Sequence, residues 1–156
     1  MPAPSLKNMA PTTISFGLPE KDRFDIALEG PTYSNSSDSD DSQWISARII
    51  VQAGSFSGKF GCCLRQDDFT SFLPSALSLY ETLQGKAEFQ TMEDQICFVL
   101  SGNGRGNIEV KATAMDQAGI GNSLSFSLVI DQTILGKALE DIRTWQKGLL
   151  KSRPSL

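Results

Sequence analysis

Three period-2 strand patterns follow one another from Glu93 to Thr133, EDQICFVLSGNGRGNIEVKATAMDQAGIGNSLSFSLVIDQT. Strand side chains alternate between faces, so each pattern marks a half-buried strand. Ile96, Phe98 and Leu100 share one face, as do Ile108, Val110 and Ala112. Burying apolar against apolar selects the register. A two-residue turn at Asn103-Gly104 would oppose Phe98 to Glu109. A three-residue loop centred on Gly104 pairs Leu100 with Ile108 and Phe98 with Val110, and is the expected register. A second hairpin around Gly119 pairs Ala112 with Phe126 and Val110 with Leu128.

The rest of the chain supplies further strands and two helices. Ile14–Phe16 and Arg23–Glu29 read as strands, with Phe24, Ile26 and Leu28 inward and Asp25, Ala27 and Glu29 outward. Trp44–Ala53 alternates again, GSFSG (54–58) turns, and the returning strand carries Phe60, Cys62 and Leu64. The expected pairs are Val51 with Phe60, Ile49 with Cys62 and Ala47 with Leu64. Lys86–Thr91 is a further strand, with Ala87 and Phe89 inward.

Asp67–Gln84 has the spacing of an amphipathic helix, with Phe69, Phe72, Leu73, Ala76, Leu77, Tyr80 and Leu83 on one stripe. Asp67 and Asp68 suit its positive N-terminal end, and Gly85 suits a left-handed residue past its end. Pro74 should kink or delay it. A second helix spans about Thr133 to Leu149, with Thr133 as N-cap and a stripe of Leu135, Ala138, Leu139, Ile142, Trp145 and Leu149. Asp131 is a second candidate cap.

At 156 residues the chain fits one domain. The expected layout is a flexible tail at 1–12, one domain at 13–150 with a mobile Ser/Asp-rich loop at 30–43, and a tail at 151–156. No run approaches the roughly 18 apolar residues of a membrane span, and the start lacks the apolar stretch of a secretory signal. These features favour a cytoplasmic protein without a membrane partner.

Absences narrow the chemistry. The chain has no histidine, which removes Ser-His-Asp and Cys-His pairs and imidazole metal sites. Its three cysteines, Cys62, Cys63 and Cys97, form neither a disulfide framework nor a CxxC pattern, and read as buried and reduced. A net charge of -4 argues against direct nucleic-acid binding, which needs clustered Lys and Arg. It suits a basic protein partner.

Two motifs have only superficial chemistry. GNGRGN (102–107) is followed by a strand, whereas a phosphate-binding glycine loop opens a helix. DSDDS (38–42) lacks the glycine of a calcium loop, and Ile49 stands where its glutamate should be. Neither metal nor cofactor is expected. Glu88, Glu93, Glu109, Asp116 and Asp131 include acids that could pair for glycoside chemistry, or simply face solvent. Tyr33 and Trp44 could stack on a sugar, or Trp44 could open its strand as half-buried core. Asp116, Gln117 and Asn122 beside glycines are turn formers, or part of a recognition patch.

AGSFSGKF (53–60), DDFTSF (67–72), LYETLQGKAEFQTMED (79–94), GNGRGNIEVKATAMDQAGIGN (102–122) and LSFSLVIDQT (124–133) together resemble the WapI-type immunity family, in order and spacing. The resemblance covers roughly Trp44 to Leu149. It implies a small bacterial cytosolic protein that neutralises the C-terminal domain of a WapA-like polymorphic toxin, in some cases a nuclease acting on tRNA.

The expected fold is α+β, a mainly antiparallel sheet of six to eight strands, curled or sandwich-like, with two packed helices. The expected function is non-enzymatic toxin neutralisation, with Glu88, Glu93, Asp116, Gln117 and Asn122 as candidate contacts to the cognate toxin domain. The alternatives are a β-sandwich module binding a carbohydrate or other small ligand, and a carboxylate-dependent hydrolase.

Overall fold

The computed structural model describes residues 12–32 and 43–152, the side chains of 150–152 excepted. Residues 1–11 of the expected N-terminal tail (1–12), most of the 30–43 loop with Tyr33 and DSDDS, and residues 153–156 lie outside the described residues.

The chain is built as two consecutive halves of the same plan. β1 (Thr12–Gly17), β2 (Arg23–Pro31), β3 (Trp44–Ala53) and β4 (Phe56–Arg65) form one antiparallel sheet in sequence order, followed by α1 (Gln66–Thr82). β5 (Gln84–Phe89), β6 (Ile96–Asn103), β7 (Asn107–Met115) and β8 (Ser123–Asp131) form the second, followed by α2 (Gln132–Ser152). The fold is therefore α+β and mostly sheet, with eight strands in two sheets. The helices cross over: α1 packs on β5, the first strand of the second half, and α2 on β1, the first strand of the first half.

One aromatic cluster joins the halves. Phe16 stacks on Phe24 at 4.8 Å between ring centroids, and Phe89 stacks on Phe98 at 4.9 Å. These pairs close the first hairpin of each half. Phe98 also lies 5.0 Å from both Phe16 and Phe24. From α1, Phe69 and Phe72 reach Phe89, and Phe69 meets Trp145 of α2. All these rings are buried. The α2 stripe Leu135, Ala138, Leu139, Ile142 and Trp145 is buried as its spacing requires.

Two registers are displaced by two residues. β3 meets β4 as Ile45↔Leu64, Ala47↔Cys62 and Ile49↔Phe60, so Val51 faces Gly58 rather than Phe60. The turn is tighter than GSFSG: only Gly54 and Ser55 lie outside the strands. Gly54 sits at φ 59, its N–H donates to Asp22 Oδ1 at 2.9 Å, and its carbonyl accepts from Gln52 Nε2 at 3.1 Å. β6 meets β7 as Leu100↔Val110 and Phe98↔Ala112. The three-residue loop is Gly104–Gly106, centred on Arg105, not Gly104. The Arg105 N–H donates to Asn103 Oδ1 at 2.8 Å, which fixes this turn. A shift of two preserves which face is buried, so apolar pattern alone does not resist it. The β7–β8 pairs Ala112↔Phe126 and Val110↔Leu128 stand as expected, around Gly119 at φ 75.

Helix ends also differ. α1 ends at Thr82, and the left-handed residue that caps it is Leu83 at φ 61; Gly85 also has the expected positive φ, 99, but it lies two residues further on, inside β5. The Leu83 carbonyl is drawn against the β6–β7 turn, accepting the Gly104 N–H at 2.6 Å. A Cβ on Gly102 would collide with that carbonyl, so glycine is required there. On the α1 stripe, Leu79 is buried while Tyr80 is 37% exposed. Pro74 lies inside the continuous helix on its exposed side. The cap of α2 is Asp131, whose Oδ1 accepts the Ile134 N–H at 2.9 Å; Thr133 lies within the helix. The expected tail limits move too: Thr12 is in β1, Gly30 and Pro31 are in β2, and α2 reaches Ser152. Asp25, read as outward and polar, is buried, its Oδ2 3.8 Å from Arg23 Nε and its Oδ1 without a hydrogen bond.

Candidate partner-binding surface

The β5–β6 and β7–β8 loops emerge at the same end of the second sheet. They are held together by Gln95, one of few buried polar residues. Its carbonyl accepts the Met115 N–H at 2.8 Å, and its Nε2 donates back to the Met115 carbonyl at 3.2 Å. The same Nε2 reaches the Gly61 carbonyl on β4 at 3.4 Å, which links this end to the first sheet. Thr91, also buried, donates to the Ile96 carbonyl at 3.2 Å and shapes the β5–β6 loop.

The β7–β8 loop is closed by two of the candidate residues. Asp116 donates its N–H to the Asn122 carbonyl at 3.1 Å, and Asp116 Oδ1 accepts the Asn122 N–H at 2.7 Å. Any Cβ at Gly121 would run into that carboxylate, so the glycine and the acid are coupled. Gln117 accepts the Gly121 N–H through its backbone carbonyl and leaves its side chain exposed. Glu93 is exposed in the β5–β6 loop, beside exposed Asp94. Glu88 lies on the outer face of β5 next to this end, paired with Val99, beyond which stands Lys111. Glu93, Asp116, Gln117 and Asn122 thus share one end of the sheet, with Glu88 on the adjoining face.

Two residues of this end carry no polar signal. Met92 is 64% and Ile120 is 85% exposed, one on each loop. An apolar residue in a sequence is ordinarily read as core, which hides them. The signal available was their setting: Met92 stands between Thr91 and Glu93, and Ile120 between two glycines. Exposed apolar side chains rimmed by polar groups are the usual anatomy of a protein-binding surface.

Other chemistry is sparse. Trp44 is half-buried at the start of β3. The outer face of the second sheet bears a shallow depression walled by Cys97, Val99, Lys111, Thr113, Ser125 and Ser127. Phe89 and Phe98 underlie it and are buried, and Phe126, half-buried, sets its ring edge-on to Phe24 at 5.8 Å. Among the described residues no group of three or more Cys, Asp or Glu is placed to hold a metal. No helix among them is long and apolar enough to cross a membrane. Cys62, Cys63 and Cys97 are free thiols. Cys62 is buried, and burial, helped by Cys63, Glu93 and Glu29, pushes its pKa up to about 12; Cys63 and Cys97 are half-buried.

The model of the immunity protein WapI-like family matches residues 15–146. The chain belongs to this family. No curated protein matches it. Among solved structures, a chain from the crystal structures of trypanosoma bruciei MRP1/MRP2 is 10% identical with a TM-score of 0.48, covering 92% of this chain and 91% of that one. A chain of the CdiA-CT/CdiI toxin and immunity complex from Enterobacter cloacae is 9% identical with a TM-score of 0.40, covering 64% and 88%. Neither likeness carries a functional argument; the WapI-like assignment rests on the family match alone.

Proposed function

We propose that this WapI-like protein is a non-catalytic, cytoplasmic immunity protein that occludes a cognate, basic toxin domain, and that it binds through the loop end of the β5–β8 sheet. Family membership supports the immunity role. The observation that supports the surface is the joint placement of Met92 and Ile120 with Glu93, Asp94 and Asp116 on two tied loops. The apolar tips anchor the complex once water is excluded, and the acids accelerate encounter with a positively charged partner. A nuclease domain, whose own substrate is a polyanion, is the toxin class this charge pattern suits. Asp116 and Asn122 act mainly by holding the loop in shape. Glu88, Glu93, Gln117 and Ile120 make the contacts.

The test is binding kinetics against the toxin fragment encoded beside the gene. Glu88→Lys with Glu93→Lys should slow association about tenfold, and association of the parent should slow as salt rises from about 50 to 200 mM. Ile120→Ser should act on dissociation instead. Unchanged rates in both variants would place the interface elsewhere. Absence of any binding by the parent would remove the immunity role and leave the ligand-binding module as the better reading.

A further inference from the structure

β4 is an edge strand, and among the described residues part of its outer rim is open. Three hydrogen bonds fix which residues point their backbone outward. The Gly61 carbonyl accepts from Gln95, the Arg65 N–H donates to Asp68 Oδ2 at 2.8 Å, and the Gln66 N–H donates inward to Gln43. Backbone direction alternates along a strand, so Ser57, Lys59, Gly61, Cys63 and Arg65 face away from β3. Gly61 and Arg65 have partners there. Among the described residues nothing bonds to the outward N–H and C=O of Ser57 or Lys59. Unpaired edge groups of this kind are a template for another strand.

The open stretch reads Phe56-Ser57-Gly58-Lys59-Phe60, and it is matched to itself. Phe56 is 65% exposed at the start of the strand, Phe60 is half-buried, and a side chain at Gly58 would meet nothing within 4 Å.

We propose that β4 is a self-association surface: two copies of the chain pair Phe56–Phe60 antiparallel about a two-fold axis at Gly58, joining their first sheets edge to edge. In this register Ser57 of each copy exchanges both backbone hydrogen bonds with Lys59 of the other. Phe56 of each copy covers Phe60 of the other, and the two Gly58 residues meet at the centre. Lys59 faces the neutral Ser57. The register one step along would set Lys59 against Lys59, and the repulsion disfavours it. Beyond Lys59 the ladder stops, because Gln95 already occupies the Gly61 carbonyl. The contact is well below the roughly 1,200 Å² of a stable interface, so the dimer forms and dissociates with concentration. It uses none of Glu88, Glu93, Asp116, Gln117 or Asn122, so it does not depend on the toxin-binding reading.

Two experiments on the full-length chain test this. Sedimentation velocity over a hundredfold range of concentration should show a monomer–dimer equilibrium. Lys59→Pro removes an outward N–H that the monomer does not use, and should raise the dissociation constant at least tenfold without changing the circular dichroism spectrum. Gly58→Cys reads the register directly. Cα atoms of a non-hydrogen-bonded pair lie about 4.5 Å apart, inside the range a disulfide spans. Mild oxidation should cross-link Gly58→Cys and spare Ser55→Cys, a control in the adjacent turn. A monomer at every concentration, or equal cross-linking of the two cysteine variants, would overturn the proposal.

Discussion

Phe24 and Phe98 meet with their ring centroids 5.0 Å apart and their planes inclined at 58°. Each occupies the second strand of its own half and stacks on the Phe of the preceding strand. The two halves are therefore joined through equivalent positions, and the contact lies within the buried cluster. Sheet-on-sheet packing of this kind depends on rings that fill the space between inner faces.

Truncating Phe98 should be the most damaging single change in the core. It touches Phe16, Phe24, Phe72 and Phe89, so no single neighbour can move to fill the void. Phe98→Ala is expected to cost roughly 3–5 kcal/mol in urea unfolding. A loss under about 1 kcal/mol would mean that the halves are held together elsewhere.

Gln95 offers a second kind of coupling. Its side-chain N–H groups serve two carbonyls on different sheets, and among the described residues no other side chain reaches either one. Gln95→Ala should leave these acceptors short of a donor and cost about 1–3 kcal/mol. Gln117→Ala, on an exposed loop nearby, should change stability by less than about 0.5 kcal/mol. Equal effects in thermal melts would show that Gln95 is only another loop residue.

How much of this could be read from residues alone follows from the range of each signal. Alternation is local, so the inward faces of β2, β3, β6 and β7 were legible, as were both helices. Register is less local. The pattern at Ile49, Phe60 and Cys62 fixes parity but not position; Gly54 and its bond to Asp22 supply the missing two-residue step. The division into two sheets depends on α1 separating β4 from β5, and no spacing announces which strands pair across a helix. At the candidate surface the acids were visible by type. The anchoring of Asp116 by Asn122 and Gly121, the clamp at Gln95, and the exposure of Ile120 all depend on which loops the fold brings together.

The three thiols should separate by reactivity. A thiol attacks as its thiolate, and burial that lifts Cys62 to about 12 leaves almost none at neutral pH. Iodoacetamide at about pH 8 should modify half-buried Cys63 and Cys97 first, and Cys62 only after denaturation, as read by peptide mass spectrometry. Early labelling of Cys62 in the folded protein would show that β4 opens at its α1 end.

Asp68 gives the chain a pH dependence whose sign can be stated. Its Oδ2 accepts the Arg65 N–H at 2.8 Å as the capping box of α1. Burial raises its pKa above the ordinary 3.8; the bond from Arg65 and the Arg65 charge oppose the rise, and Asp67 adds to it. Because the folded value is raised, folding favours the protonated acid. That contribution is complete below the unfolded value of about 3.9 and is lost as pH rises through the higher folded value. Asp68→Asn keeps an oxygen for the Arg65 N–H and removes the titration. The melting temperature of the parent minus that of Asp68→Asn should thus be most positive near about pH 3.5 and should fall as pH rises towards about 6–7. Calorimetry across that interval decides it. A difference that grows with pH would mean that the Arg65 bond and charge outweigh burial, and that the ionised carboxylate is the form this helix start prefers.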